Sequence, residues 1–221
     1  MRIIAGDWRG RKLVAPVGDT TRPTADRTRE TLFSMLTSRL GSFDGLAVAD
    51  LFAGSGALGL EALSRGAASA LFVEQDARAL DAIRANVRSL GADARATVRA
   101  GSVLALGPAR AALDVVLIDP PYRTGAGVVA IDKLTRLGWI GPATWISLET
   151  AGNEDVAIKG CVIDADRKVG KARITLLRLD AAPAEPPPEL PTRPASGTSR
   201  QRPPPRSAPA SLPQTAPARH R

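Results

Sequence analysis

The chain has a single cysteine, Cys161, among 221 residues, and no grouping of Cys and His at metal-ligand spacing. An intramolecular disulfide is excluded, and no metal site is expected. Cys161 opens the apolar run Cys161-Val162-Ile163 and reads as a small strand residue. Long apolar runs are missing too: none approaches the roughly 18 residues of a membrane span. The opening Met1-Arg2-Ile3-Ile4-Ala5-Gly6 lacks the apolar core of a signal peptide. The expectation is a cytoplasmic protein with no membrane partner. Before Asp180 proline is sparse, and 12 of the 18 prolines follow it, among Ala, Ser and Arg. Such a stretch cannot bury enough apolar surface to offset its backbone entropy, so residues 181–221 are read as a disordered tail.

The formal net charge is +8, and its distribution is uneven. Residues 1–39 carry eight positive and four negative side chains, residues 40–180 sixteen of each, and residues 181–221 six and two. A neutral body with basic ends suits a catalytic domain whose affinity for a polyanion comes from appended segments.

Three regions follow: an N-terminal extension over residues 1–40, an α/β domain over 41–180, and the tail. The extension reads as two β runs, residues 2–5 and 12–15, around the turn Asp7-Trp8-Arg9-Gly10, then a helix opening near Thr24 and stopping at Gly41. From Gly45, strands at residues 46–52, 69–74, 96–100, 114–119 and 144–149 alternate with helices at 58–65, 77–90 and 128–137. Two last strands, 160–165 and 173–179, are joined by residues 166–171 without room for a helix and should pair antiparallel. Repeated β-α units imply a doubly wound, mostly parallel sheet, with ligands at the carboxyl ends of its strands.

After the first strand comes Asp50-Leu51-Phe52-Ala53-Gly54-Ser55-Gly56-Ala57-Leu58-Gly59. This Gly-x-Gly-x-x-Gly turn permits close backbone approach to NAD, FAD or S-adenosylmethionine alike. Glu74, about 20 residues on, ends the second strand, where an acidic residue accepts ribose hydroxyls. Asp50 separates the readings: a carboxylate at this strand end disfavours an anionic pyrophosphate and favours a ligand bearing ammonium and sulfonium groups.

The fourth strand ends in Asp119-Pro120-Pro121-Tyr122. Adjacent prolines fix φ and remove two backbone donors, leaving a stiff exit with free carbonyls. An exocyclic base amine is a poor nucleophile because its lone pair is delocalised into the ring. The Asp119 side chain and the Pro120 carbonyl could take its two N–H groups and aim the nitrogen at a methyl sulfonium, with Tyr122 stacking on an extruded base. Arg123 and Thr124 continue this loop toward phosphate.

Asp119-Pro120-Pro121-Tyr122 resembles the [Asn/Asp]-Pro-Pro-[Tyr/Phe] motif of amino-group methyltransferases, and residues 51–62 resemble their cofactor loop. Arg2-Ile3-Ile4-Ala5-Gly6-Asp7-Trp8-Arg9-Gly10-Arg11-Lys12-Leu13 and Arg22-Pro23-Thr24-Ala25-Asp26-Arg27-Thr28-Arg29-Glu30-Thr31-Leu32-Phe33 narrow the similarity to the bacterial 16S ribosomal RNA guanine-N2 methyltransferase family. The resemblance covers residues 2–179. It implies a Rossmann-like class I fold of seven strands, mostly parallel with a C-terminal antiparallel strand, plus a small N-terminal hairpin and helix. It further implies S-adenosylmethionine as methyl donor and a guanine in 16S RNA of the assembling small ribosomal subunit as acceptor. Asp119, Pro120, Pro121 and Tyr122 would hold the target amine, and Asp50, Phe52, Gly54, Gly56, Glu74, Ser102 and Thr24 the cofactor. Arg9, Arg11, Lys12, Arg22, Arg27 and Arg123 would meet RNA, and a monomer is expected. Two positions depart from the family pattern. Gly101-Ser102-Val103 lacks the acidic residue that often holds the adenine amine, and Ser34 stands where Asn is frequent.

Three other functions share parts of these features. A DNA adenine-N6 methyltransferase would use the same acceptor pair, but no target-recognition domain is evident. An NAD-dependent oxidoreductase would use Gly54, Gly56, Gly59 and Glu74, and leaves Asp50 and the Pro-Pro exit unexplained. A non-catalytic RNA-binding protein on the same fold is the third.

Overall fold

Val48 to Leu51 and Val115 to Ile118 are buried at every position, as strands covered on both faces require. The computed structural model describes residues 1–16, 23–154 and 156–180; Arg22 and residues 181–221, the expected tail, lie outside the described residues. The element order is α1 (Pro23–Leu40), β1 (Ala47–Leu51), α2 (Ala57–Ser64), β2 (Ser69–Glu74), α3 (Ala77–Leu90), β3 (Ala96–Ala100), a 3-10 turn (Val103–Ala105), β4 (Val115–Ile118), α4 (Ala126–Arg136), β5 (Trp145–Ala151), β6 (Cys161–Val169) and β7 (Ala172–Leu179).

The strands form one sheet in the order β3-β2-β1-β4-β5-β7-β6. β1 pairs in parallel with both β2 and β4, β2 with β3 and β4 with β5, while β7 runs against the other six strands, antiparallel to both β5 and β6. The order reverses between β1 and β4, so the topological switch point lies at their carboxyl ends. One face is covered by α1 to α3, where Phe33, Leu36, Leu60, Leu63 and Ile83 meet Phe72, Val115 and Leu117. The other is covered by α4 and the 3-10 turn, with Ile131, Leu134 and Val103 against Val116, Ile118 and Leu148. Among the described residues no helix is long and apolar enough to cross a membrane.

Two sequence expectations change. Residues 166–171, read as a connector, are mostly strand: β6 runs on to Val169, and Gly170-Lys171 alone make the turn. The charged Asp166, Arg167 and Lys168 look loop-like because β6 is an edge strand exposed over most of its length. The N-terminal hairpin is present but shorter than the runs at 2–5 and 12–15: Ile3 N donates to Arg11 O at 2.9 Å, Gly10 N to Ile3 O at 2.9 Å and Leu13 N to Met1 O at 3.1 Å, around the antiparallel bridge between Arg2 and Lys12. Beyond these pairs its donors turn to α2: Ile4 N and Ala5 N donate to the Glu61 carboxylate at 2.8 and 3.0 Å, and Trp8 N to Ser64 Oγ at 3.0 Å. Glu61 is fully buried and also pairs with Arg65 Nε at 2.9 Å and Arg29 Nε at 3.8 Å.

Asp50 is the third departure, because it does not face a ligand cleft. It is 1% exposed and lies beneath the glycine turn, where its Oδ2 accepts from Gly59 N at 2.8 Å. The reason is packing: a Cβ on Gly59 would stand 2.4 Å from the Phe72 ring and 3.1 Å from Asp50 Cβ, so only glycine lets α2 settle on these two side chains. Burial pushes the Asp50 pKa up to about 8, against the Gly59 hydrogen bond and with help from Asp119 and Glu74.

Two outcomes follow. Glu61→Ala strips two amides and two guanidinium groups of a common buried acceptor; the expected loss, read from denaturant melts, is about 3 to 5 kcal/mol, with new protease cleavage within residues 1–16. For Asp50 the folded pKa lies above the ordinary 3.8. Its favourable contribution is therefore complete in acid and is lost as pH rises toward 8. Asp50→Asn keeps an acceptor for Gly59 N without the charge, so its stability relative to wild type should grow by a few kcal/mol between pH 5 and pH 8. A difference that stays constant with pH would contradict this.

Candidate active site

Leu51 stands opposite Ile118 in the β1–β4 register, and Asp119 N donates to Leu51 O at 3.4 Å. The Asp-Pro-Pro-Tyr exit and the glycine turn thus leave the same end of two adjacent strands. Each exit carries a non-glycine residue in left-handed backbone, Phe52 at φ 59° and Arg123 at φ 61°. Such residues cost about 1 to 3 kcal/mol each and cluster at ligand sites.

Gly54 has φ 55°, and a Cβ there would meet nothing within 4 Å, so the turn presents open backbone outward. Its N–H donates to Glu74 Oε2 at 2.8 Å, while Glu74 Oε1 accepts from Gln75 N at 2.7 Å and Asp76 N at 2.9 Å. A carboxylate has about four acceptor positions. Glu74 therefore keeps one free for a ribose hydroxyl, rather than the two bonds expected, unless Gly54 releases its own. Phe52 is half-buried at the strand end. Gly56 closes the turn at φ 77°, its N–H bonded to Ala53 O at 2.7 Å. Ser102 follows β3 at the same edge, exposed, its Oγ accepting from Leu104 N at 3.2 Å. Thr24 lies in the first turn of α1, and its side chain is outside the described residues.

The β4 exit offers two acceptors. The Asp119 side chain takes no hydrogen bond from the described residues, and neither does the Pro120 carbonyl. The Pro121 carbonyl, by contrast, is occupied by Thr124 Oγ1 at 2.7 Å, which itself accepts from Ala126 N at 3.3 Å. Thr124, read from sequence as a phosphate neighbour, thus braces the loop. Tyr122 is 44% exposed, and its hydroxyl donates to Glu149 Oε1 at 2.7 Å. Beside them lies a shallow recess, open to solvent, lined by Pro120, Pro121, Tyr122, Gly127, Leu148 and Glu149.

Asp119 is exposed to solvent, with protein atoms crowded around its carboxyl on the sides facing the sheet and Glu149. Loss of hydration, and then the Glu149 carboxylate, push its pKa up to about 7. Glu149 is raised by burial against the Tyr122 hydrogen bond, and burial and Glu149 together raise the Tyr122 phenol. Asp50, Glu74, Asp119 and Glu149 thus gather at one end of the sheet, and none is ion-paired to a described residue. An end of this kind attracts a cation and repels a pyrophosphate.

The basic residues divide. Arg123 sits on the lip of the site, its N–H donating to Glu154 Oε2 at 3.2 Å, and Arg27 is exposed in the early turns of α1. Arg9, Arg11 and Lys12 are exposed on the extension. The Arg95 guanidinium stacks 5.0 Å over the Trp8 ring, and Arg11 Nη2 donates to Ser89 O at 2.5 Å. Ser64, Ser89 and Arg95 all lie where the strands begin, so the Trp8 turn points away from Asp119, about 12 Å down the length of α2.

Sequence reasoning did not single out Asn86 or Glu149. Asn86 is fully buried and pairs with both backbone groups of Val14, at 2.7 and 2.9 Å, while donating to Ser55 O at 2.9 Å, which ties the extension to the glycine turn. Its polar side chain in the apolar stripe of α3 was the available signal. For Glu149 the signal was its place in the strand after Asp119, read as 144–149 and extended by the structure to Ala151.

The profile of the family described as "Conserved hypothetical protein 95" matches residues 1–178. Ribosomal RNA small subunit methyltransferase D of Escherichia coli K12 is 40% identical over 150 residues, 68% of this chain and 74% of that protein. The putative rRNA methyltransferase YlbH of Bacillus subtilis is 39% identical over 127 residues, 56% of this chain and 67% of its own. Among solved structures, the putative methyltransferase yhhF from Escherichia coli superposes with a TM-score of 0.70 at 35% identity, covering 82% of this chain and 99% of that one. The reversal of strand order at β1 and β4, the acid-lined switch point and these similarities agree, and the chain belongs to the conserved hypothetical protein 95 family, that of the ribosomal RNA small subunit methyltransferases D.

Proposed function

We propose that this chain transfers a methyl group from S-adenosylmethionine to the exocyclic N2 of a guanine in 16S ribosomal RNA of the assembling small subunit, acting as a monomer. The observation that carries the reading is the pair of acceptors that take no hydrogen bond from the described residues, the Asp119 carboxylate and the Pro120 carbonyl, one strand from the open glycine turn.

The residues present fit the cofactor. Open space at Gly54 admits a ligand against the backbone, and the Glu74, Asp119 and Glu149 carboxyls at the neighbouring strand ends suit its cationic end. Phe52, Gly54, Gly56, Glu74, Ser102 and Thr24 would hold it, with Asp50 acting from below to shape the turn. When bound, S-adenosylmethionine supplies an electrophilic methyl on a sulfonium. The work of this chain is on the amine: Asp119 and Pro120 accept its two N–H groups, fix the nitrogen in place, and favour the positive charge that develops on it as it is methylated, a charge discharged when one proton passes to the Asp119 carboxylate or to solvent. Tyr122, stiffened by Pro121 before it and anchored by Glu149 behind it, offers its ring to an extruded base. Arg123, Arg27 and Arg22 would contact phosphates near the target, whereas Arg9, Arg11 and Lys12 would hold RNA farther round the domain.

Asp119→Ala should lower methyl transfer to hypomethylated small subunits by about 100-fold or more, with S-adenosylmethionine affinity by calorimetry unchanged. Unaltered turnover would overturn the assignment. Because the Asp119 carboxyl is held near 7, wild-type kcat/KM should rise as pH passes through that value. Asp119→Asn has no proton to lose and should give a slower, flat profile over the same range.

A further inference from the structure

β4 and β5 pair in parallel with Ile118 opposite Leu148, so Asp119 and Glu149 come next at the same height on neighbouring strands, about 4.8 Å apart. Residues at matched register points project on the same side. Glu149 Oε1 is held by the Tyr122 hydroxyl at 2.7 Å, and Oε2 receives no hydrogen bond from the described residues. Glu149 lines the cleft beside Pro120, Pro121 and Tyr122. The site therefore contains a third acceptor beside the two assigned to the amine, and no donor from the described residues satisfies it.

Three RNA bases carry an exocyclic amine, and they differ at the ring nitrogen beside it. Adenine N1 and cytosine N3 present lone pairs, which a carboxylate oxygen repels. Guanine N1 carries a hydrogen. Only guanine places a donor next to the amine, in line with an acceptor next to Asp119 and Pro120. A carboxylate bonded to guanine N1–H gains a charge-assisted hydrogen bond, and the same group facing a lone pair leaves a recessed charge unpaired.

We propose that Glu149 is the specificity-determining residue that selects guanine by accepting its N1–H, an inference that rests on the amine-binding role given above to Asp119 and Pro120. Tyr122 then has two tasks: its ring supports the base, and its hydroxyl fixes the carboxylate that reads it.

The test uses small-subunit particles assembled on 16S RNA that carries either guanosine or 2-aminopurine ribonucleoside at the methylated position. 2-Aminopurine keeps the 2-amino group but presents a lone pair at N1. It also lacks the 6-oxygen, in the same way for every enzyme variant, so a change in the preference between the two particles on altering Glu149 reports N1. Wild type should favour guanosine by about 10- to 100-fold in kcat/KM. Glu149→Gln keeps an acceptor for the Tyr122 hydroxyl and offers N–H to a ring lone pair; it should lose activity on guanosine, hold or gain on 2-aminopurine, and bring the ratio close to one. Equal use of both particles by the wild type, or the same ratio in wild type and Glu149→Gln, overturns the role of Glu149 while leaving guanine methylation in place. A wild-type protein that methylates neither particle overturns both readings. The wild-type ratio needs no variant, so a misfolded Glu149→Gln does not shield the inference.

Discussion

The parallel contact between β1 and β4 is the constraint on which the rest of this structure depends. The two strands are separated in sequence by two β-α units, yet the reversal of strand order makes them neighbours, and the Asp119 N–H closes on the Leu51 carbonyl as both chains leave the sheet. Without that contact the glycine turn would be an ordinary β-α connection and the Pro-Pro exit an ordinary rigid turn. Side by side, they set open backbone against two acceptors that no described residue satisfies. The left-handed backbone of Phe52 and Arg123 shows that both exits are bent more sharply than their residue types favour. That strain is held by packing on either side of the sheet, with Gly59 pressed on Phe72 and Gly127 on Leu148 and Pro120.

Electrostatics reinforce this geometry by indirect means. Asp50 shapes the turn from beneath without meeting a ligand, and its raised pKa records the cost of that burial together with the nearness of Asp119 and Glu74. Anionic character at the site is thus a property of several strand ends acting together. The basic side chains are set apart from it, some on the lip and some on the far side of the extension. A protein arranged this way can grip a polyanion at its periphery while keeping an acidic centre for a cationic donor and an amine. Glu61 and Asn86 join the two regions by tying the extension to α2 and to the glycine turn.

Much of this was legible in the chain itself, and the reasons for the remainder are local. β2, α3 and β3 have the bounds that their periodicity predicts, because each combines a clear apolar pattern with a marked stop such as Gly91. β6 was truncated in the reading because an edge strand exposed over most of its length carries charges that look like a turn. The hairpin of the extension forms but is shorter than its β runs suggest, because nothing in residues 1–16 reveals that a glutamate 57 positions from Ile4 takes its amide. Asp50 was placed in the right element but facing the wrong way: a strand-end carboxylate looks the same in sequence whether it points at a ligand or at the first turn of the next helix. Glu149 was visible as the last residue of the fifth strand, but its meaning depends on the register with Asp119 and on the Tyr122 hydroxyl, and both are tertiary facts.

The central claim is that acceptors at the end of β4 present a guanine amine to a methyl donor held at the end of β1. Its most direct test is to incubate the protein with isotopically labelled S-adenosylmethionine and hypomethylated small ribosomal subunits, digest the 16S RNA to nucleosides, and identify the labelled species by mass and chromatography. The account predicts label in N2-methylguanosine. Label in N6-methyladenosine, or none in 16S RNA, would contradict it.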